Sequence, residues 1–361
     1  MSNNITDIIR KTDLTVSPLE ESNTIPSTWY SEQSVYLFEL ENLFSSIWQC
    51  VGHVKRLEKN GDYFLFNYLD NPLIIIKGND GKIRAFYNVC QHRGGPLALE
   101  DGNVKLLQCK YHGWTYQLDG YLKKAPKFNS METNLTDICL KPVNIDIWEG
   151  LIFIALDEAP VKLSDMMNGI NKRIAPVDIS TLNFYRRIEY NLNCNWKVYI
   201  DNYLEGYHLP FVHPGLSKVL ETKEYETELS EYYSLQVSPL KEDNIYGKGS
   251  AFYYFIFPNI MLNILPGRLQ TNLVLPTSRN STRIIFDYYY DTINDDSKIK
   301  SIENDIAFSD EVQKEDIFIC EKVQSGLESK GYNQGGFSPT EEQGVYHFQS
   351  LLKEYYGRYL L

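Results

Sequence analysis

Apolar residues recur at helical spacing through "SEQSVYLFELENLFSSIWQCVGH" as far as Trp48, which predicts a helix close to the N-terminus. Beyond it the period shortens. The runs "DYFLFNYL", "PLIIIKG" and "KIRAFYNVC" are rich in β-branched and aromatic residues, and Asn79, Asp80 and Gly81 form a hairpin signal between the last two. "GWTYQLDGYL" and "DIWEGLIFIAL" continue the strand pattern, so residues 46–158 read as a small all-β domain. Residues 1–45 read as a helical segment packing on a second domain, 159–361. There "STLNFYRRIEYNLN" predicts a strand and "WKVYIDNYLEGYH" a helix that Pro210 stops. Four further strand patterns follow in "EYYSLQVSPL", "AFYYFIFPNIMLNIL", "LQTNLVLPTS" and "TRIIFDYYYDTI". Two helices close the chain: "DEVQKEDIFICEKVQSGLE", and one opening at "SPTEEQ" with Ser338 as cap, Pro339 in the first turn and Glu341 completing a capping box. The fold class is α+β, an all-β domain followed by an antiparallel sheet covered by helices.

Composition narrows the partners. At 361 residues and 43% hydrophobic content the chain has material for two cores. A formal charge of −12 with no basic cluster argues against nucleic acid. The N-terminus lacks a signal-peptide core, and the longest apolar runs are too short to span a bilayer, so a soluble, cytoplasmic protein is expected. Cys50, Cys139, Cys194 and Cys320, widely and irregularly spaced, read as reduced thiols. Neither a dinucleotide fingerprint nor a phosphate-binding loop occurs, so any electrons must come from another protein.

Two of the six cysteines and two of the six histidines fall in "CQHRGGPLALEDGNVKLLQCKYHGW". Zinc modules pair like with like, whereas here each turn carries one thiolate and one imidazole. Cys90-x-His92, followed after sixteen residues by Cys109-x2-His112, is what a Rieske [2Fe–2S] centre needs, with two Cys on one iron and two His on the other. Gly94 and Gly95 let the backbone approach the cluster, Pro96 stiffens the loop, and Trp114 packs behind the second loop.

A second metal site is indicated further on. On a helical wheel of "WKVYIDNYLEGYH", Trp196, Ile200, Tyr203, Leu204 and Tyr207 form a buried stripe, while Asp201, Glu205 and His208 share another face. His213 follows on the exiting loop. Two His and one carboxylate make the facial triad of a non-haem Fe(II) oxygenase. The third ligand is expected in the late helix, where Val312, Ile319, Cys320, Val323 and Leu327 define an apolar face with Asp316 in its middle. A carboxylate so placed needs a cation, either a ferrous ion or a partner such as Arg268. Glu315 is the substitute ligand if the register differs.

With both constellations in view, the chain closely resembles the catalytic (α) subunit of Rieske non-haem iron oxygenases. "CQHRGGPL", "CKYHGW", "NWKVYIDNYLEGYHLPFVHPGL", "EDIFICEKVQSGLES" and "GGFSPTEEQGVYHF" are most similar to the branch containing choline monooxygenase and the glycine-betaine and carnitine oxygenases. The resemblance covers nearly the whole chain. It implies a Rieske domain and a helix-grip catalytic domain, with Cys90, His92, Cys109 and His112 on the cluster and His208, His213 and Asp316 on a mononuclear iron. It also implies a head-to-tail homotrimer in which one subunit's cluster serves its neighbour's iron, with Glu205 linking the two, and a separate NAD(P)H-dependent reductase of flavin or ferredoxin type. Many ring-hydroxylating members carry Asp at the position of Glu205, so this Glu points away from them.

The expected reaction is O2-dependent hydroxylation of a small substrate, a quaternary ammonium or N-methyl compound. A ring-hydroxylating dioxygenase α subunit is the alternative, and a Rieske electron carrier the remote one; the large second domain argues against the carrier. Among 27 Tyr and 17 Phe, most rings belong to strand or helix patterns; Tyr203, two residues before Glu205, is the one expected in the pocket.

Overall fold

The structure, a computed structural model, describes residues 5–128, 135–159, 161–216, 226–241, 246 and 248–361. The chain divides into two compact units, Ser45–Leu163, and Met1–Phe44 together with Ser164–Leu361. The second division falls at 163 rather than 158 because the chain leaving the last strand stays with the β unit, where Trp48 Nε1 donates to the Val161 carbonyl at 2.9 Å.

In Ser45–Leu163 the strands build an antiparallel sheet in the spatial order Gln49–His53, Leu151–Ala155, Pro142–Trp148, Ile83–Tyr87, Asn71–Lys77, Asp62–Tyr68 and Gly102–Asn103. The Asn79-Asp80-Gly81 hairpin forms as expected, Gly81 taking φ +76° and donating its N–H to Gly78. A second sheet of Leu107–Gln108, Thr115–Tyr116 and Leu122–Lys124 stands apart. A core that includes Ile74, Ile76, Phe86, Leu107 and Tyr116 takes in Cys90 and Cys109, so both thiols are held in apolar surroundings.

The other unit is an antiparallel sheet ordered Asn183–Leu192, Ser281–Tyr290, Arg268–Ser278, Ile260–Leu265, Ser250–Ile256, Tyr233–Pro239 and Glu226–Leu229. The stretch "AFYYFIFPNIMLNIL" is two of these strands, because Phe257-Pro258-Asn259 turns the chain and pairs Ile256 with Ile260. The long helix Asp296–Leu327 starts well before its sequence signal, capped by the Asp295 side chain on the N–H groups of Ser297 and Lys298. Its buried face is Ile302, Asp305, Ile306, Gln313, Cys320 and Gln324; Val323, expected on that face, is 45% exposed. The last helix, Gln343–Leu360, begins beyond the expected box: Glu342, not Glu341, takes the Ser338 N–H at 2.6 Å.

The N-terminal helix also ends early. Gln33–Phe38 is α-helical, Glu39–Phe44 widens into a π-helical turn, and a strand begins at Gln49 rather than helix running to Trp48. Glu39 explains the anchoring: fully buried, it accepts from Lys197 Nζ at 2.6 Å, Trp196 Nε1 at 2.8 Å and the Tyr356 hydroxyl. Three donors offset the desolvation of that carboxylate, tying the N-terminal segment to the helix Trp196–Tyr203 and to the last helix. No helix among the described residues is long and apolar enough to cross a membrane. None of the six cysteines forms a disulfide.

Candidate cluster and metal sites

The two Cys/His loops share one backbone pattern. Cys90 N–H donates to the Gly95 carbonyl at 2.9 Å and Gly94 N–H to the Cys90 carbonyl at 3.0 Å; Cys109 N–H donates to Trp114 at 2.8 Å and Gly113 N–H to Cys109 at 3.2 Å. Gly94 and Gly113 both sit in the left-handed region, at φ +70° and +74°. Lys110 N–H donates to the Pro96 carbonyl at 2.9 Å and so joins the loops. Gly95 has no room for a side chain, since a Cβ there would lie 3.0 Å from Cys109 Sγ and 2.9 Å from Tyr111 Cβ. The His92 and His112 rings stand 4.8 Å apart, and Trp114 stacks on His92 with an interplanar angle of 5°. The Tyr116 hydroxyl lies 3.2 Å from Cys90 Sγ and accepts the Gln91 N–H at 3.1 Å.

The second constellation departs from the expected helix. The helix closes at Tyr203, and a separate short helix, Leu209–Val212, contains Pro210 instead of being stopped by it. Glu205 and His208 therefore stand on irregular backbone between the two, and His213 caps the second. Asp201 does not share their face: half-buried, it accepts from Tyr30 at 2.6 Å and Gln349 at 3.1 Å, and desolvation pushes its pKa up to about 7 against those hydrogen bonds and Lys197. Tyr207, expected in the buried stripe, is 55% exposed.

His208, His213 and Asp316 each offer one ligand atom, and the three atoms lie within 4.8 Å of one another. Asp316 Oδ1 is 2.9 Å from His213 Nε2 and 4.0 Å from His208 Nε2, and it accepts from Asn202 Nδ2 at 2.7 Å. Carboxylates hold the far side of each ring: Glu205 Oε1 is 2.6 Å from His208 Nδ1, and Glu315 Oε2 is 2.7 Å from His213 Nδ1. Glu315 thus orients a histidine instead of substituting for Asp316. Burial works against charge on His213, but Asp316 and Glu315 outweigh it and hold its pKa above the ordinary value. Arg268, the alternative partner for Asp316, pairs with Asp305 instead.

A cavity of about 140 Å³ opens beside this triad. Tyr199, Tyr203, Tyr246, Tyr253, Phe286 and Phe308 contribute aromatic wall, and Gln236, Asn263, Gln270, Asn272 and Gln313 contribute amides. Tyr203, the one ring expected there, donates to Asn263 Oδ1 at 2.6 Å, so its hydroxyl is fixed against the sheet. The amides of the wall carried no expectation from the sequence, although polar residues at every second position of "RLQTN" within an apolar strand were an available signal.

Residues 47–138 match the Rieske [2Fe–2S] domain, and residues 179–358 match the ring hydroxylating alpha subunit (catalytic domain). The chain is 35% identical to chloroplastic choline monooxygenase of Arabidopsis thaliana, over 93% of its own length and 83% of that protein's. It is 30% identical to the carnitine monooxygenase oxygenase subunit of Escherichia coli K12, over 98% and 99% of the two chains. The chain belongs to the Rieske non-haem iron oxygenases. In this family the α subunit carries a [2Fe–2S] cluster and a mononuclear iron, and works with a separate reductase, O2 and a small substrate. Among solved structures, the quaternary ammonium Rieske monooxygenase CntA superposes with a TM-score of 0.88 at 27% identity, covering 96% of this chain and 99% of that one.

The residues present in this Rieske oxygenase fit both groups. His92 Nδ1 is buried with no hydrogen bond, and Gly95 leaves the cradle open beside Cys109. Desolvation, then His92 and Arg93, hold His112 below the ordinary histidine range, which favours the neutral, ligating form. At the other site two imidazoles and a carboxylate converge, their outer nitrogens already taken by Glu205 and Glu315. A hydrogen bond to a ligand sulfur favours the reduced, more negative cluster. Tyr116→Phe is therefore expected to lower its reduction potential by tens of millivolts, the scale of one hydrogen bond of about 1 kcal/mol. A potentiometric titration of the reduced-cluster EPR signal checks this; an unchanged potential removes Tyr116 from the tuning set.

Proposed function

We propose that this chain is the terminal oxygenase of a Rieske system that hydroxylates a small quaternary ammonium or N-methyl compound. The observation that carries the reading is the aromatic-walled cavity with His208, His213 and Asp316 in its lining, since six rings around so small a space suit a trimethylammonium group. The two relatives named for choline and carnitine support the same class.

In this reading the β unit is the Rieske domain, with Cys90, His92, Cys109 and His112 as cluster ligands; the other unit is catalytic, with the N-terminal segment packed on it and His208, His213 and Asp316 as iron ligands. When bound, the cluster supplies single electrons and the ferrous ion supplies open positions for O2. The chain's own residues do the rest. Glu205 and Glu315 keep the proton on Nδ1 of each histidine and leave Nε2 for the metal. Aromatic walls exclude water and hold the ammonium, while the amides orient any oxygen on the substrate. One oxygen atom enters a C–H bond and the other leaves as water, with two electrons and two protons supplied. An N-methyl carbon then gives formaldehyde and a demethylated amine; an alcohol carbon gives an aldehyde hydrate.

The working assembly in this proposal is a homotrimer fed by an NAD(P)H-dependent reductase. Large apolar side chains exposed at both centres support it: Leu99 and Tyr111 by the cluster loops, Tyr207, Phe211 and Phe318 by the iron ligands. The test is the EPR spectrum of the reduced protein's nitric oxide adduct with choline, glycine betaine, carnitine and a simple arene. The high-spin iron-nitrosyl signal is expected to change with a quaternary amine and not with the arene; response to the arene alone overturns the substrate class.

A further inference from the structure

One wall of the cavity carries a charge that the reaction does not use. Arg268, Gln270 and Asn272 alternate along the strand Arg268–Ser278, all buried and all lining the cavity. Among the described lining residues, Arg268 is the only lysine or arginine. Its guanidinium is already engaged: Nε lies 2.8 Å from Asp305 Oδ2, Nη2 donates to Gln270 Oε1 at 2.5 Å, and the Tyr246 and Tyr288 rings stand 5.5 and 5.9 Å away. Asp305 reaches it from the long helix, is 4% exposed, and also accepts from the Tyr246 and Tyr290 hydroxyls.

We infer that Asp305 silences Arg268 and so sets the substrate class: a quaternary amine whose second polar group is uncharged, with carboxylate-bearing betaines rejected. This rests on the quaternary ammonium reading above. The relatives are named for one amine without a carboxylate and one with it, so likeness alone leaves the choice open. The charges decide it. Asp305 does not itself line the cavity, but it neutralises Arg268 from behind, so a substrate carboxylate entering beside Arg268 meets a guanidinium already paired, or draws it away and leaves a buried carboxylate without its cation; either is unfavourable. A hydroxyl or ester oxygen meets no such penalty, because it brings no charge to that wall, where the amides of Asn263 and Asn272 line the same sheet. The matched pair also leaves no net positive charge on that wall to repel the ammonium.

The test is titration calorimetry of the iron-loaded full chain with choline, glycine betaine and betaine methyl ester, the last two differing by one charge. Wild type is expected to bind the ester more tightly than the betaine by about tenfold or more. Asp305→Asn frees the guanidinium and should close that gap; Arg268→Gln removes it and should not. A merely structural ion pair would weaken all ligands in parallel and leave their ratio unchanged in both variants, which overturns the inference. Equal binding of betaine and ester by wild type overturns it without any variant, should Asp305→Asn fail to fold. Binding of none of the three by wild type overturns the quaternary ammonium reading itself, and with it this refinement.

Discussion

Asp316→Ala is expected to abolish mononuclear iron binding and to lower turnover on the order of a thousandfold or more, while the cluster absorbance stays at its wild-type value. Asp316 Oδ1 stands 2.9 and 4.0 Å from the two imidazole nitrogens, so the triad cannot be completed without it. Glu315, the neighbouring carboxylate, is committed to the opposite edge of His213 and does not reach round to replace it. Cys90, His92, Cys109 and His112, the proposed cluster ligands, belong to the other compact unit. Iron quantitation alongside the visible spectrum separates the two metals in one sample. Full iron content and full turnover in the variant would sink the assignment; Glu315→Ala, which removes only an orienting partner, should lose about ten- to a hundredfold.

How much of this was legible in the sequence differs between the two centres, for a physical reason. The residues proposed for the cluster are local: Cys90-x-His92 and Cys109-x2-His112 each sit in one tight turn, so spacing alone carries the proposal. The mononuclear site is not local. His208 and His213 could be found because they are close in sequence, but helical periodicity misled the wheel: the helix ends at Tyr203, so Glu205 and His208 are set by irregular backbone and Asp201 turns instead to Tyr30 and Gln349. Asp316 was picked out as the candidate third ligand by its place in an apolar stripe, although the structure draws that stripe differently. The long helix exposes Val323 and buries Asp305 against Arg268, Gln313 at the cavity and Gln324 on the Asn195 N–H, so its inner face is polar as well as apolar. Apolar periodicity marks which side of a helix leaves water and does not register a buried polar face. The Arg268–Asp305 pair was not legible either: Arg268 was offered as a partner for Asp316, while Asp305, far from it in sequence, carried no signal until the sheet and helix brought the two within 2.8 Å.

Glu205→Gln tests the part of the site that irregular backbone leaves most exposed to error. His208 only caps the short helix Leu209–Val212, and Glu205 fixes its ring and N–H with both oxygens, Oε1 at 2.6 Å from Nδ1 and Oε2 accepting the His208 backbone N–H at 3.0 Å. A carboxylate only accepts, so it fixes the proton on Nδ1 and turns Nε2 towards Asp316 and His213. A glutamine amide can present either N–H₂ or oxygen to Nδ1, and the imidazole then loses both its defined tautomer and the charge that raises its basicity. Turnover is expected to fall about ten- to a hundredfold, with iron affinity falling in step, and Glu205→Ala should lose more. Each oxygen keeps a lone pair beyond these bonds, enough to accept a cluster-bound histidine of a neighbouring subunit if the homotrimer forms as proposed. The two roles separate in a single-turnover experiment on fully reduced, iron-saturated protein. If Glu205 only holds His208, saturating iron restores the rate at which the cluster is oxidised; if it also links subunits, that rate stays low with iron in place. Wild-type iron affinity and wild-type turnover in Glu205→Gln would remove both roles together.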